Sequence, residues 1–186
     1  MTDTEEKKEL AEVQISSKDI FEGKILHLVN DEVRLPNGET SGREVIRHIG
    51  AVCIIPITDD NEVIVERQFR YPVDEVLTEI PAGKLDFKDE DRLEAAKREL
   101  REETGYIADE WTDLGFFYPA AAYSDEKITL YMARGLHLGE RELDEDEFIN
   151  VVKVPLKDLA EEVMSGKIPD NKTQMAILKA AAILGV

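Results

Sequence analysis

The 186-residue chain carries 41 Asp and Glu against 23 Lys and Arg, a formal charge of −18 at pH 7, and 42% of its residues are apolar. That length suffices to bury the core of one domain, or of one domain with a small extension. The acidity argues against a nucleic-acid surface, which needs basic patches interleaved with aromatics. No apolar run approaches the roughly 18–20 residues of a membrane helix, and the charged start is unlike a basic-then-apolar signal peptide, so a cytoplasmic protein that binds no membrane is expected.

Residues 1–13, rich in Glu and Lys, read as a frayed tail. Residues 20–35 alternate apolar and polar in two short stretches. Pro36-Asn37-Gly38-Glu39 then marks a hairpin turn, so antiparallel strands are expected across residues 14–48. Further strands are predicted at 43–48, 51–58 and 62–69, with a turn at Asp59-Asp60-Asn61 between the last two. The 51–58 strand carries the single cysteine, Cys53, which reads as a core thiol and leaves no partner for a disulfide within one chain. A short strand at 77–80 meets Pro81-Ala82-Gly83, and an acidic helix is predicted over 90–103, with Gly105 as its left-handed stop. Strands at 111–118, 128–133 and 148–154 and helices at 156–165 and 172–184 complete the chain. Strands, a helix, strands and then helices favour an α+β architecture, an α/β/α sandwich, over a doubly wound sheet.

The acidic helix carries the chemistry. Arg98-Glu99-Leu100-Arg101-Glu102-Glu103 sets three carboxylates within one turn. Successive helical residues are about 100° apart, so Glu99, Glu102 and Glu103 share one face while Leu93, Ala96 and Leu100 can face a core. Like charges at this spacing repel by a few tenths of a kcal/mol per pair, and a divalent cation reverses that sign. Magnesium takes hard oxygen ligands and shares its sphere among carboxylates, water and substrate phosphates. Glycine at position 83 lets the chain pass close to such a site. Arg98 faces the acids and is placed to orient Glu99 by a charge-assisted hydrogen bond. The bland alternative is a solvated charged face, which has no need of Gly83 and Gly105 at its two ends.

Residues 83–106, GKLDFKDEDRLEAAKRELREETGY, closely resemble the Nudix box: glycine, five residues, Glu, seven residues, then Arg-Glu-apolar-x-Glu-Glu-x-Gly-apolar. From Glu90 onward the fit has no gap. Six residues rather than five separate Gly83 from Glu90, and the extra one is assigned to the loop 84–89, where it leaves the metal face intact. Glu90 reads as structural. The resemblance implies a Nudix-type sandwich over 49–186 with a mixed sheet, preceded by an N-terminal antiparallel extension. It also implies hydrolysis of a nucleoside diphosphate linked to another group, and Ala82 as a backbone-carbonyl metal ligand beside Glu99, Glu102 and Glu103. Mg²⁺ or Mn²⁺, two or more per site, is the implied cofactor.

Outside the box, IFEGKILHLVNDEVRLPNGE, REVIRHIGAV, ERQFRYPV, EIPAGKLD, FYPAAAYSDEKITLYMARGL and DEDEFINV resemble the ADP-ribose (ADP-sugar) pyrophosphatase branch. Pro119 is a further branch feature, although Ala120-Ala121-Ala122 replaces the usual Ser-Pro-Gly loop. What this implies is cleavage of ADP-ribose to AMP and ribose 5-phosphate. Arg43 and Arg70 match positions that hold phosphates, with Arg67 a weaker candidate. Glu79 matches one near the terminal ribose, and Phe21 is placed to stack on adenine or to join the core. The catalytic base falls in the loop Asp144-Glu145-Asp146-Glu147, with Glu145 first, Glu147 second and Glu126 third. The branch forms homodimers through its N-terminal sheet, so Arg43 and Phe21 are expected to complete a neighbouring site. Two alternatives stay open: the same chemistry on another sugar nucleotide such as GDP-mannose, and a Nudix-like module that senses a nucleotide without cleaving it.

Overall fold

The computed structural model describes residues 3–143 and 148–186, and these divide into two compact units. The first holds the residues up to His48 together with Ala120–Glu126. A short helix, α1 (Asp3–Leu10), occupies the stretch expected to fray. Strands β1 (Val13–Glu22), β2 (His27–Arg34) and β3 (Thr40–Arg47) follow in an antiparallel sheet ordered β1-β2-β3. The expected turn joins β2 to β3, with Gly38 at φ 89°. Valines 29 and 33 are buried on β2, whereas every residue of β1 is exposed. Strand β1 begins within a residue of the stretch expected to form antiparallel strands, although none of its side chains is buried.

The second unit is built around β4 (Ala51–Pro56), every residue of which is buried. It pairs in parallel with β9 (Ile128–Leu138) and antiparallel with β7 (Ala82–Lys84), and β9 pairs antiparallel with β8 (Tyr106–Phe117). This is a mixed four-stranded sheet ordered β7-β4-β9-β8. A second sheet, ordered β10-β5-β6, is antiparallel and comprises β5 (Glu62–Arg70), β6 (Glu75–Glu79) and β10 (Ile149–Pro155).

Side chains alternate along a strand, and β4 uses that to serve two cores. Val52 and Ile54 pack with Leu85, Tyr131 and Ala133 against Ala95, Ala96 and Leu100 of helix α2 (Arg92–Thr104). Cys53 and Ile55 join Val63, Val65 and Leu130 against helices α3 (Leu156–Met164) and α4 (Asn171–Leu184). The mixed sheet therefore lies between α2 and the C-terminal helices. Burial pushes the Cys53 thiol up to about 12, which keeps it inert in the core. Among the described residues, no helix is long and apolar enough to cross a membrane.

Helix α2 starts two residues later than the sequence suggests. Asp91 caps it, its carboxylate accepting from the backbone N–H of Leu93 at 2.9 Å and of Glu94 at 3.0 Å. At the other end Gly105, at φ 76°, donates its N–H to the Arg101 carbonyl at 2.8 Å, a left-handed cap that glycine adopts without a Cβ penalty. Strand β8 begins at the next residue, well before position 111.

Candidate active site

The acidic face of α2 meets the β6–β7 corner in a cleft of about 220 Å³ lined by Ala82, Gly83, Lys84, Asp86, Arg98, Glu99, Glu102, Glu103 and Glu142. Leu100, Ala95 and Ala96 turn the opposite face of the helix into the core, which leaves the carboxylates no choice but the cleft. Glu99 and Glu103 are only 9% and 6% exposed, and Glu102 is half-buried.

Hydrogen bonds fix these acids. The Ala82 backbone N–H donates to Glu103 Oε2 at 2.9 Å. Arg98 Nη1 donates to Glu99 Oε1 at 2.7 Å and to Glu102 Oε2 at 3.2 Å, and Nη2 reaches Glu90 Oε1 at 3.4 Å. Burial opposes the Arg98 charge. Glu99, Asp86 and Glu90 overcome it and hold the guanidinium protonated above its ordinary range. Glu90 also closes the loop before the helix by accepting the Asp86 N–H at 2.7 Å, so the extra box residue is absorbed there.

The cleft fits a hard divalent cation by two observations. Its donor set is oxygen-rich, with five carboxylates beside the β7 backbone. A Cβ on Gly83 would fall 2.0 Å from Glu99 Cδ, so glycine is required for the Glu99 carboxylate to lie against the β7 backbone. Among the described residues no group of three Asp, Glu, His or Cys side chains makes a closed metal shell. Arg98 stands between Glu99 and Glu102, and magnesium sites draw much of their sphere from water and phosphate.

A second cluster was only partly legible in the sequence. Arg70 on β5 grips Glu79 on β6 with two parallel bonds, Nε to Oε1 at 2.7 Å and Nη2 to Oε2 at 2.8 Å. Lys172 of α4 also bonds Glu79 Oε2 and lies 3.1 Å from Asp170 Oδ1. Asp170 caps α4 through the Thr173 N–H at 2.9 Å, and Thr173 Oγ1 accepts the Ile80 N–H at 2.9 Å. Burial raises the Glu79 carboxyl, but Arg70 and Lys172 together bring it below its ordinary value. The hydrogen bond to Glu79 pushes Arg70 up against the opposing effect of burial, and the charges of Glu103 and Asp170 act in the same direction. Asp170-x-x-Thr173 was readable as a cap, whereas Lys172 in the first turn of a helix gave no signal of its target.

Arg67 lines a different cleft, with Thr78 and the α3–α4 connection. Arg43 and Phe21 belong to the first unit. Arg43 donates from Nε to Glu12 Oε2 at 2.9 Å, and Phe21 is 56% exposed rather than core. Glu126 is in the same unit, 3.8 Å from His48. Glu145 and Glu147 lie outside the described residues.

The NUDIX domain matches residues 47–174, and the nucleoside diphosphate sugar hydrolase N-terminal domain matches residues 12–46. The chain belongs to the Nudix hydrolase family, whose members generally depend on divalent metal. It is 43% identical over 172 residues to the ADP-ribose pyrophosphatase of Bacillus subtilis (strain 168), covering 91% of this chain and 92% of that one. It is 42% identical over 168 residues to the methanol dehydrogenase activator of Bacillus methanolicus, covering 89% and 90%. A crystal structure of an ADP compounds hydrolase shares the fold, with a TM-score of 0.83 at 24% identity over 94% of each chain.

Gly83→Ala tests the close approach. The added methyl displaces the far end of one side chain rather than backbone, so the melting temperature should stay within a few degrees while divalent-dependent activity falls by about two orders of magnitude. Full activity in a folded Gly83→Ala protein would show that Glu99 need not lie against the strand.

Proposed function

We propose that this chain is a cytoplasmic, Mg²⁺- or Mn²⁺-dependent pyrophosphatase that cleaves ADP-ribose to AMP and ribose 5-phosphate. The observation that carries the reading is the docking of Glu99 and Glu103 against Ala82 and Gly83, in a chain whose Nudix match spans residues 47–174. Glu99, Glu102, Glu103 and the Ala82 carbonyl would hold the metal, two ions or more per site. Divalent ions, when bound, supply charge neutralisation on the oxygens of the diphosphate and make water acidic enough to attack it.

The protein side chains then divide the remaining work. Arg98 orients Glu99 and Glu102 from behind and acts as a positioning residue. Arg70 receives a phosphate oxygen with the nitrogen not committed to Glu79. Glu145 takes the proton of the attacking water as the phosphorus–oxygen bond of the bridge breaks and the leaving phosphate carries the bridging oxygen away. That role for Glu145 rests on the sequence resemblance, with Glu147 and Glu126 behind it. Glu79, committed to Arg70 and Lys172, is better suited to fixing Arg70 than to meeting ribose.

Incubating the protein with Mg²⁺ or Mn²⁺ and a panel of nucleoside diphosphate derivatives, products being identified by mass, tests the reading. AMP and ribose 5-phosphate from ADP-ribose are expected. Preferential cleavage of GDP-mannose would move the specificity, and binding without cleavage of any member would leave a sensing module. Glu102→Gln or Glu103→Gln should lower turnover by about two to three orders of magnitude with little change in fold, since each removes a negative charge from the proposed metal ligands. Glu145→Gln should lower the rate by about two orders of magnitude while metal binding persists, and an unaffected rate would pass the role to Glu147 or Glu126.

The chain is also proposed to work as a homodimer in which the N-terminal sheet brings Arg43 and Phe21 to the neighbouring site. The support is the exposed β1, which carries Ile15, Ile20 and Phe21 on no core of its own unit. Mixing Arg43→Ala protein with Glu102→Gln protein should restore activity if sites are shared. A monomer of full activity in sedimentation would remove the idea.

A further inference from the structure

Lys172 occupies the second position of α4, where the positive end of the helix dipole disfavours a cation. It is also buried, at 9% exposure. Both features cost stability, and an apolar residue of similar volume would serve the core as well or better. Local rules broken in this way mark positions held for another purpose.

The purpose is visible in what Lys172 holds. Its ammonium bonds Glu79 Oε2, the same oxygen that accepts from Arg70 Nη2, and pairs with Asp170. Arg70, Lys172, Glu79 and Asp170 form a neutral set of two cations and two anions. Glu79 is 2% exposed and cannot shift to solvent. Arg70 is the member that reaches outward, with a side chain 42% exposed. Its Nη1 has no acceptor among the described residues, and Glu103 of the acidic cleft is one of the charges acting on it. Without Lys172 the set carries an unbalanced negative charge, and Asp170, already acting on Arg70, competes with the outward direction.

We propose that Lys172 is a positioning residue for substrate binding: by holding the buried Glu79 carboxylate it fixes the Arg70 guanidinium with one edge turned outward to receive a phosphate of the nucleoside diphosphate. The inference rests on the phosphate role proposed above for Arg70. It gives Glu79 and Lys172 a joint task in affinity rather than in bond breaking.

The test is a double-mutant cycle on the full chain with ADP-ribose and saturating Mg²⁺. Lys172→Met should raise KM about tenfold, the equivalent of one misdirected charge-assisted hydrogen bond, with kcat changed by less than about threefold. In an Arg70→Ala background the same substitution should leave KM unmoved, because its route to the substrate is already gone. An unchanged KM in Lys172→Met, or an equal rise in both backgrounds, would overturn the proposal and leave Lys172 a purely structural residue. Should Lys172→Met not fold, Glu79→Gln carries the same cycle and the same criteria. An Arg70→Ala protein with ordinary KM would instead remove the phosphate role of Arg70, an outcome distinct from a normal Lys172→Met beside a defective Arg70→Ala.

Discussion

A strand corner and a glutamate side chain of α2 meet so closely that only glycine at position 83 leaves that side chain where it lies. The Glu99 carboxylate occupies the space where a side chain on Gly83 would begin, and Glu103 accepts the N–H of Ala82 one residue earlier. Two of the acids on the α2 face are thereby taken out of bulk water and aimed at backbone, where their charge is felt at low dielectric. The core behind them makes this possible: Ala95 and Ala96 are small enough to bring α2 tight against β4, and Leu100 anchors the turn that bears both glutamates.

Gathering acids in a chain of charge −18 requires local compensation. Arg98 supplies it on one side of the cleft, bonded to Glu99, Glu102 and Glu90 at once. Arg70, on which the charge of Glu103 acts, is held by Glu79 and indirectly by Lys172. The two arginines differ in exposure and so in use. Arg98 is enclosed by acids of its own helix and loop, whereas Arg70 keeps an outward nitrogen. A polyanionic substrate entering such a site meets cations already fixed in place, which lowers the ordering cost of binding.

The acidic face was legible because helical periodicity is a local property: once Glu99, Glu102 and Glu103 are seen with a glycine at each end of the segment, their common direction follows. Strand β4 was legible for the same reason in its unbroken apolar run. The partners of Glu79 were not, because Lys172 lies 93 residues away and a sequence holds no trace of which carboxylate a lysine will find. The start of α2 was misplaced by two residues since Glu90 looks helical by type, yet its carboxylate is spent on the Asp86 N–H and Asp91 does the capping. Strand β1 falls within the stretch expected to form antiparallel strands, although pairing with β2 rather than burial makes it a strand.

Binding of divalent ions by the α2 carboxylates is measured without reference to turnover by the electron paramagnetic resonance signal of free Mn²⁺ titrated with protein. Saturable loss of the free-ion signal, tightened by an uncleavable ADP-ribose analogue and abolished when Glu99 and Glu103 are both replaced by Gln, is the predicted result. A signal undiminished even with protein in large excess, or binding unaltered in that double variant, would contradict it.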